Sequence, residues 1–425
     1  MTELIRELLE QEKIEMWRMT ETREHCAELY FVRKKLDMPR IRDTVRCAVE
    51  VFRDFEADGK KCRGSSTALI PAGADAAEIR EKLREAFNAA AYVKNPWFGF
   101  APAVKEAEKE SVSPLREQTP EETAVQVAEI LLSEDRDEDA FINSAEIFVT
   151  RGHRRILSSQ GLDVAYGYDR IDGELITQCV KPVDVEQYRS FGWMAVDEEQ
   201  IREKVREAIS AVRDRANAAG LPDSGRYPVL LKGDMLRELF GFYLERAGAQ
   251  YVASGYSDWK PGTEVQKAEK GGEALQLSVA SVEPYSSEGI PMPERVFIED
   301  GVLRLLHGPT RFCRYTGAEP VGSYRRILCG NGTEDLAAMR TEGVLEPVFF
   351  SDFQMDAFDG HFKGEIRLAY LHRVDGSREI LTGGSVNGSL TELQNRMRFS
   401  RERYASLDYD GPLAILLPDV AVAGK

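Results

Sequence analysis

The chain has 425 residues, a formal net charge of −16 and 30% charged residues. An acidic excess of this size excludes the usual nucleic-acid binder, whose affinity comes from Lys and Arg neutralising phosphates. With 43% hydrophobic residues and no run of 18 apolar ones, the composition is that of a globular protein that does not span a membrane with helices.

The length exceeds one ordinary core, so two domains of about 200 residues are expected. The cysteines, Cys26, Cys47, Cys62, Cys179, Cys313 and Cys329, form no CxxC pair, and reduced, mostly buried thiols follow. Residues 1–10 read as a charged amphipathic helix without the apolar centre of a signal peptide, which points to the cytoplasm.

After this helix, residues 27–33 alternate around β-formers, and residues 44–55 do so more regularly. An Asp58-Gly59 turn leads into residues 61–70 and completes an antiparallel meander. The period then changes: between Asp75 and Val93, the residues Ile79, Leu83, Ala86, Phe87 and Ala90 share one helical face. Residues 101–122 are polar and without period, a connection rather than a core element.

Thr119-Pro120-Glu121-Glu122 reads as an N-cap, a proline at the first helical position and acids in the first turn, opening a helix to Leu132. A second strand group runs from Ala145 to Arg189, with turns expected at Arg151-Gly152, Gln160-Gly161 and Asp172-Gly173. A helix from Asp197 to Ala219 closes this half. The class is α+β: an N-terminal domain of antiparallel sheets and long helices over residues 1–222, and a β-rich, barrel-like domain over residues 223–425. The second domain opens with a strand over residues 226–231 and a helix over residues 233–253.

An ordered series of fragments gives the chain a family likeness. The series runs Gly64-Ser65-Ser66-Thr67, Asn95-Pro96, Gly225-Arg226-Tyr227-Pro228-Val229-Leu230, Glu288-Gly289-Ile290-Pro291, Glu299-Asp300-Gly301-Val302-Leu303, Tyr315-Thr316-Gly317 and Leu416 to Gly424. In this order it resembles the TldD/PmbA family, known both as modulators of DNA gyrase and as metallopeptidases, over essentially the whole chain. The family has two branches that work as a pair, one with an H-E-x-x-x-H zinc motif on the central helix and one without it.

Matched to that motif, Arg237 and Phe242 stand at the two His positions and Glu238 at the Glu. The cysteine ligand near the C-terminus of the metal-bearing branch has no counterpart, since the last cysteine is Cys329. Arginine is permanently cationic and phenylalanine offers no lone pair, so neither ligates a divalent ion. Without a metal, Glu238 has no activated water to work on. The resemblance therefore implies a TldE/PmbA-like chain with no metal or other cofactor and no catalytic residue of its own. It also implies a peptide substrate, and as partner a metal-bearing TldD-like subunit, a second copy of the chain, or both. Taken alone, the helix is also an ordinary amphipathic one, with Leu236, Leu239, Phe240, Tyr243 and Ala247 on one stripe.

Residues 348–362 resemble the family segment that runs from a strand through a turn into another strand near the peptide cleft. Asp352, Gln354, Asp356, Asp359 and Gly360 are the expected substrate-binding residues, since strand edges bind extended peptides through the main chain. A plain hairpin with exposed acids fits the same residues. Two alternatives stand beside this reading: an autonomous metallopeptidase using His361 with Asp356 or Asp359, and a homodimeric peptide-binding or scaffold protein. Cys329-Gly330-Asn331-Gly332-Thr333 and the Gly383-Gly384 segment read as turns, the first without the lysine of a P-loop.

Overall fold

The computed structural model describes residues 1–425 apart from 107, 110 and 331, so Asn331 of the glycine-rich segment lies outside the described residues. The N-terminal part begins with α1 (Thr2–Gln11), β1 (Met16–Val32), β2 (Lys35–Ala57), β3 (Lys60–Ile70) and α2 (Ala76–Ala90). It continues with α3 (Pro120–Ser133), β4 (Ala140–Ser158), β5 (Asp163–Cys179), β6 (Val185–Trp193) and α4 (Glu198–Ala216). The helix starts follow local chemistry. Asp75 accepts from the Ala77 and Glu78 amides at 2.9 Å, and Thr119, the expected N-cap, forms a reciprocal capping box with Glu122.

The two expected strand groups are one sheet. β1 pairs with β4 antiparallel from Arg18↔Ser158 to Val32↔Ser144, giving the order β3-β2-β1-β4-β5-β6. One face carries all four helices: α1 and α2 cover Met19, Val49 and Val51, while α3 and α4 cover Leu29, Ile147, Val149 and Ile171. Residues of β1 offset by one point to the other face, where Arg18 and Arg154 meet Glu288 and Glu283 of the C-terminal part at 3.1 and 2.5 Å.

Two expected turns are strand interior instead. Gly152 pairs with Tyr168 inside β4 and β5, and a Cβ on it would lie 2.1 Å from the Tyr168 ring. Gly173 pairs with Ile147, and a Cβ there would lie 2.3 Å from the Phe191 ring. Each glycine makes room for an aromatic ring on the sheet surface, so it reports packing rather than a reversal. Gln160-Gly161 is a turn as expected, with Gly161 at φ +92°.

The C-terminal part opens with β7 (Gly225–Lys232) and α5 (Asp234–Arg246). The helix expected through residue 253 breaks at Gly248, which bridges to His307, and the Ala249 amide donates to the His307 carbonyl at 2.7 Å. A short α6 (Ala249–Ala253) follows, then β8 (Leu277–Ala280), β9 (Arg295–Glu299), β10 (Val302–Leu303), α7 (Thr310–Thr316), β11 (Arg326–Cys329), β12 (Leu345–Met355), β13 (His361–His372), β14 (Arg378–Leu381), β15 (Ser385–Ser389), β16 (Arg398–Phe399), β17 (Arg403–Ala405), β18 (Tyr409–Pro412) and β19 (Ala414–Ala423).

β12 pairs with β7, β7 with β19, β19 with β15, β15 with β13, and β13 with β12 again. The ring closes into the barrel that the short alternating strands suggest. It is stitched lightly between β12 and β7, where Leu345↔Val229 is the pairing. A second sheet, β10-β9-β8-β11-β18-β17, packs with the barrel around Leu231, Phe240, Phe297, Ile327 and Ile415, all fully buried. Among the described residues no helix is long and apolar enough to cross a membrane.

Candidate functional site

β7 hands the chain to α5 through Gly233, whose φ of +61° lets the strand turn directly into the helix. Asp234 in the first turn and Arg246 in the last suit the helix dipole. Leu236, Leu239, Phe240, Tyr243 and Ala247 are buried as the sequence predicts. Phe242 is buried as well, 2% exposed, with its ring edge-on to Tyr243 at 5.2 Å and to Trp259 at 5.7 Å. The Tyr243 hydroxyl donates to Gln394 at 2.7 Å and fixes the ring beside it.

Arg237 lies along the helix over Gly241, where a Cβ would come within 3.3 Å of Nη1. Its Nε is buried and meets no acceptor. Glu238 and Glu245 are exposed on the same side. Burial and then the neighbouring Glu238 push the Glu245 carboxyl up, with Arg237 pulling it back and Asp356 adding to the rise.

The β12–β13 hairpin is present as expected, and it meets α5. Gly360, at φ +80°, closes the turn against the helix, its Cβ position 3.3 Å from Phe242 Cε2. Arg246 Nη1 donates to the Phe358 carbonyl at 2.7 Å. The structure thus brings together Arg237, Glu238, Phe242, Asp356, Asp359 and Gly360, read separately in the sequence. Asp356 accepts from the Phe358 amide at 2.8 Å, and Asp359 accepts from the His361 amide at 2.9 Å, which holds its carboxyl below the usual range. Asp352 and Gln354 are exposed farther out on β12 and bond each other at 2.5 Å.

The residues at the motif positions do not fit a zinc ion: one is a cation and the other a buried apolar ring. Cys329 is buried in β11, its thiol pushed up by burial, and Leu416 to Gly424 is largely β19, a central strand. His25 is engaged with Asp43 and Glu121 at 2.7 and 2.8 Å and His153 with Glu108 at 3.0 Å, away from the site, whereas His361 pairs on the hairpin itself with Asp359 at 3.0 Å. His307 is sandwiched between the Leu244 carbonyl and the Tyr324 amide. Among the described residues no group of three or more His, Cys, Asp or Glu is placed to hold a metal ion. The short helix after the glycine-rich segment has its first amide, Leu336, bonded to Glu402, which serves as its anion.

Sequence reasoning missed a buried charge network in the C-terminal part. Glu346, on β12 and 1% exposed, receives Arg340 twice at 2.8 Å, His372 at 2.8 Å and Lys232 at 3.2 Å. Burial pushes its carboxyl up, but the hydrogen bonds from His372 and Arg340 with the Lys232 and Arg340 charges outweigh it and hold the group ionised well below the ordinary range. Arg189 of β6 was missed too. It donates to the Val348 carbonyl at 3.1 Å and lies over the Phe349 ring, joining the N-terminal sheet to β12.

A β-barrel with a helix packed beneath a neighbouring hairpin, the helix matching a zinc-peptidase motif without its ligands, defines a metallopeptidase-related α+β protein. Residues 224–424 match the model of the PmbA/TldA metallopeptidase C-terminal domain, which places that part of the chain in the TldD/PmbA family. Three solved structures share the fold over the full length. TldE from Thermococcus kodakarensis has 16% identity and a TM-score of 0.79, covering 100% of this chain and 99% of that one. A proposed modulator of a DNA gyrase from Thermotoga maritima has 16% identity and a TM-score of 0.78, covering 99% and 100%. A proposed modulator of DNA gyrase from Bacteroides thetaiotaomicron has 14% identity and a TM-score of 0.76, covering 100% and 99%. No curated protein matches the sequence.

Proposed function

We propose that this chain is a TldE-like, non-zinc-binding member of its family that works in the cytoplasm as the partner subunit of a metal-bearing relative in peptide proteolysis. The observation that carries the reading is the pair Arg237 and Phe242 at the ligand positions of α5, the second sealed under Gly360 by aromatic neighbours. Its part in catalysis is to complete the peptide path: α5 and the β12–β13 hairpin, with Asp352, Gln354, Asp356, Asp359 and Gly360, line the channel, while the partner supplies the metal. No chemical step is assigned to Glu238.

The test is metal analysis of the purified chain, with peptidase assays of the chain alone and with a co-expressed metal-bearing relative. The expected result is no tightly held zinc, no activity alone, and a stable complex whose activity exceeds that of the relative by itself. One zinc per chain, lost on chelation together with activity of the lone chain, would overturn the reading. Failure of the two chains to associate would do the same.

A further inference from the structure

Just past the C-terminus of α5, three aromatic side chains gather at the surface. Tyr251 of α6 lies 5.4 Å from Tyr256, and Tyr256 meets Phe358 of the β12–β13 turn edge-on at 6.3 Å. Tyr256 is 54% and Phe358 57% exposed, an unusual display for rings held in a fixed cluster. The cluster is built rather than accidental. Arg246 reaches from the last turn of α5 to the Phe358 carbonyl at 2.7 Å and the Tyr256 carbonyl at 3.5 Å, holding the two loops together.

Carboxylates outnumber cations on this surface, where Arg237 and Arg246 stand against Glu238, Glu245, Asp356 and Asp258. Arg246 is taken up by these carbonyls, by Asp258 at 3.6 Å and by the Trp259 ring. Glu245 and Asp356 form no ion pair among the described residues, and both bear on the Tyr251 hydroxyl, which burial and these two carboxylates push up. Open aromatic faces beside an excess of carboxylates that form no ion pair are the chemistry that recognises a cation, through the ring quadrupole and through direct charge attraction.

We infer that Tyr251, Tyr256 and Phe358, with Glu245 and Asp356, form a subsite for a cationic group of a bound peptide, either a lysine or arginine side chain or the N-terminal ammonium. The inference rests on the peptide reading above and names the residue class that this chain selects. The subsite sits where the stripe Arg237–Gly241–Glu245 ends, about 12 Å along the helix from Arg237. A peptide lying beside α5 places its positive group here.

The probe is an eight-residue Ala/Gly peptide labelled with a fluorophore at its C-terminus, carrying a central lysine or norleucine and a free or acetylated N-terminus. Binding to the full chain is read by anisotropy. The lysine peptide binds at least about fivefold more tightly than norleucine if a side chain is the ligand, and the free amine more tightly than the acetylated form if the terminus is. Tyr256→Ala and Phe358→Ala each reduce binding to the level of the neutral peptide, with thermal unfolding unchanged because both rings are more than half exposed. Raised salt weakens the cationic peptide alone.

Equal binding of the charged and neutral peptides, absence of binding, or full affinity in Tyr256→Ala would overturn the inference. These outcomes leave the partner-subunit reading to its own assay, since metal content and activity of the paired chains do not depend on which peptide is preferred.

Discussion

The Phe242 ring lies directly beneath Gly360: a Cβ on the glycine would be 3.3 Å from Cε2 of the ring and 2.8 Å from Thr391 Cγ2. The residue at the second ligand position of α5 is therefore locked by the turn of the β12–β13 hairpin.

Gly360→Ala is expected to destabilise the protein by about 1–3 kcal/mol, from a left-handed backbone at φ +80° and from the two close contacts. Urea unfolding measures it. An unchanged midpoint would mean that the turn does not press on the helix.

Phe242→His places a hydrogen-bonding ring among Tyr243, Trp259 and Gly360, where an apolar one now sits. The expected cost is about 1–3 kcal/mol for a buried polar group without a partner. Zinc content stays far below one per chain, because Arg237 still stands at the other ligand position. A stable variant that retains zinc through gel filtration would contradict both statements.

Glu346 predicts a pH dependence. Its folded carboxyl titrates below the unfolded value of about 4.3, so its stabilisation is fully present above that value and is lost as pH falls through the folded pKa. At pH 7, Glu346→Gln leaves Lys232 and Arg340 without their carboxylate. It is expected to cost about 3 kcal/mol, the low end for a broken buried pair, since these partners keep 27% and 33% exposure. The difference from the native chain narrows below about pH 4, as unfolding curves across the acid range will report.

Much of the fold is legible in local sequence because its causes are local. Thr119 and Pro120 announce the start of α3, and the alternation of residues 44–55 announces β2. The pairing of β1 with β4 is set between residues more than a hundred positions apart, and no local period records it. Gly152 and Gly173 mislead for a physical reason: a glycine that admits a ring and a glycine that turns the chain look alike until the ring is located.

At the candidate site, the family resemblance singled out Arg237 and Phe242 and the segment that forms the hairpin from β12 to β13. Their contact was not legible, because it depends on how the barrel closes. Glu346 left no signal at all: its partners Lys232, Arg340 and His372 are scattered along the chain and converge only when β7, β12 and β13 assemble.

The β1–β4 pairing also constrains the order in which the molecule is made. Cys26 and Thr150 touch across 124 residues, and at roughly 5–20 residues per second a ribosome needs about 6–25 s to supply the second strand after the first. During that interval β1 can pair with β2 and seat α1 and α2, but its other border stays open. The barrel waits longer still, since β7 finds β19 across 193 residues at Arg226 and Asp419. Nascent chains of this protein thus carry an unfinished strand border through most of synthesis, the interval in which a chaperone or a misplaced strand has its best access.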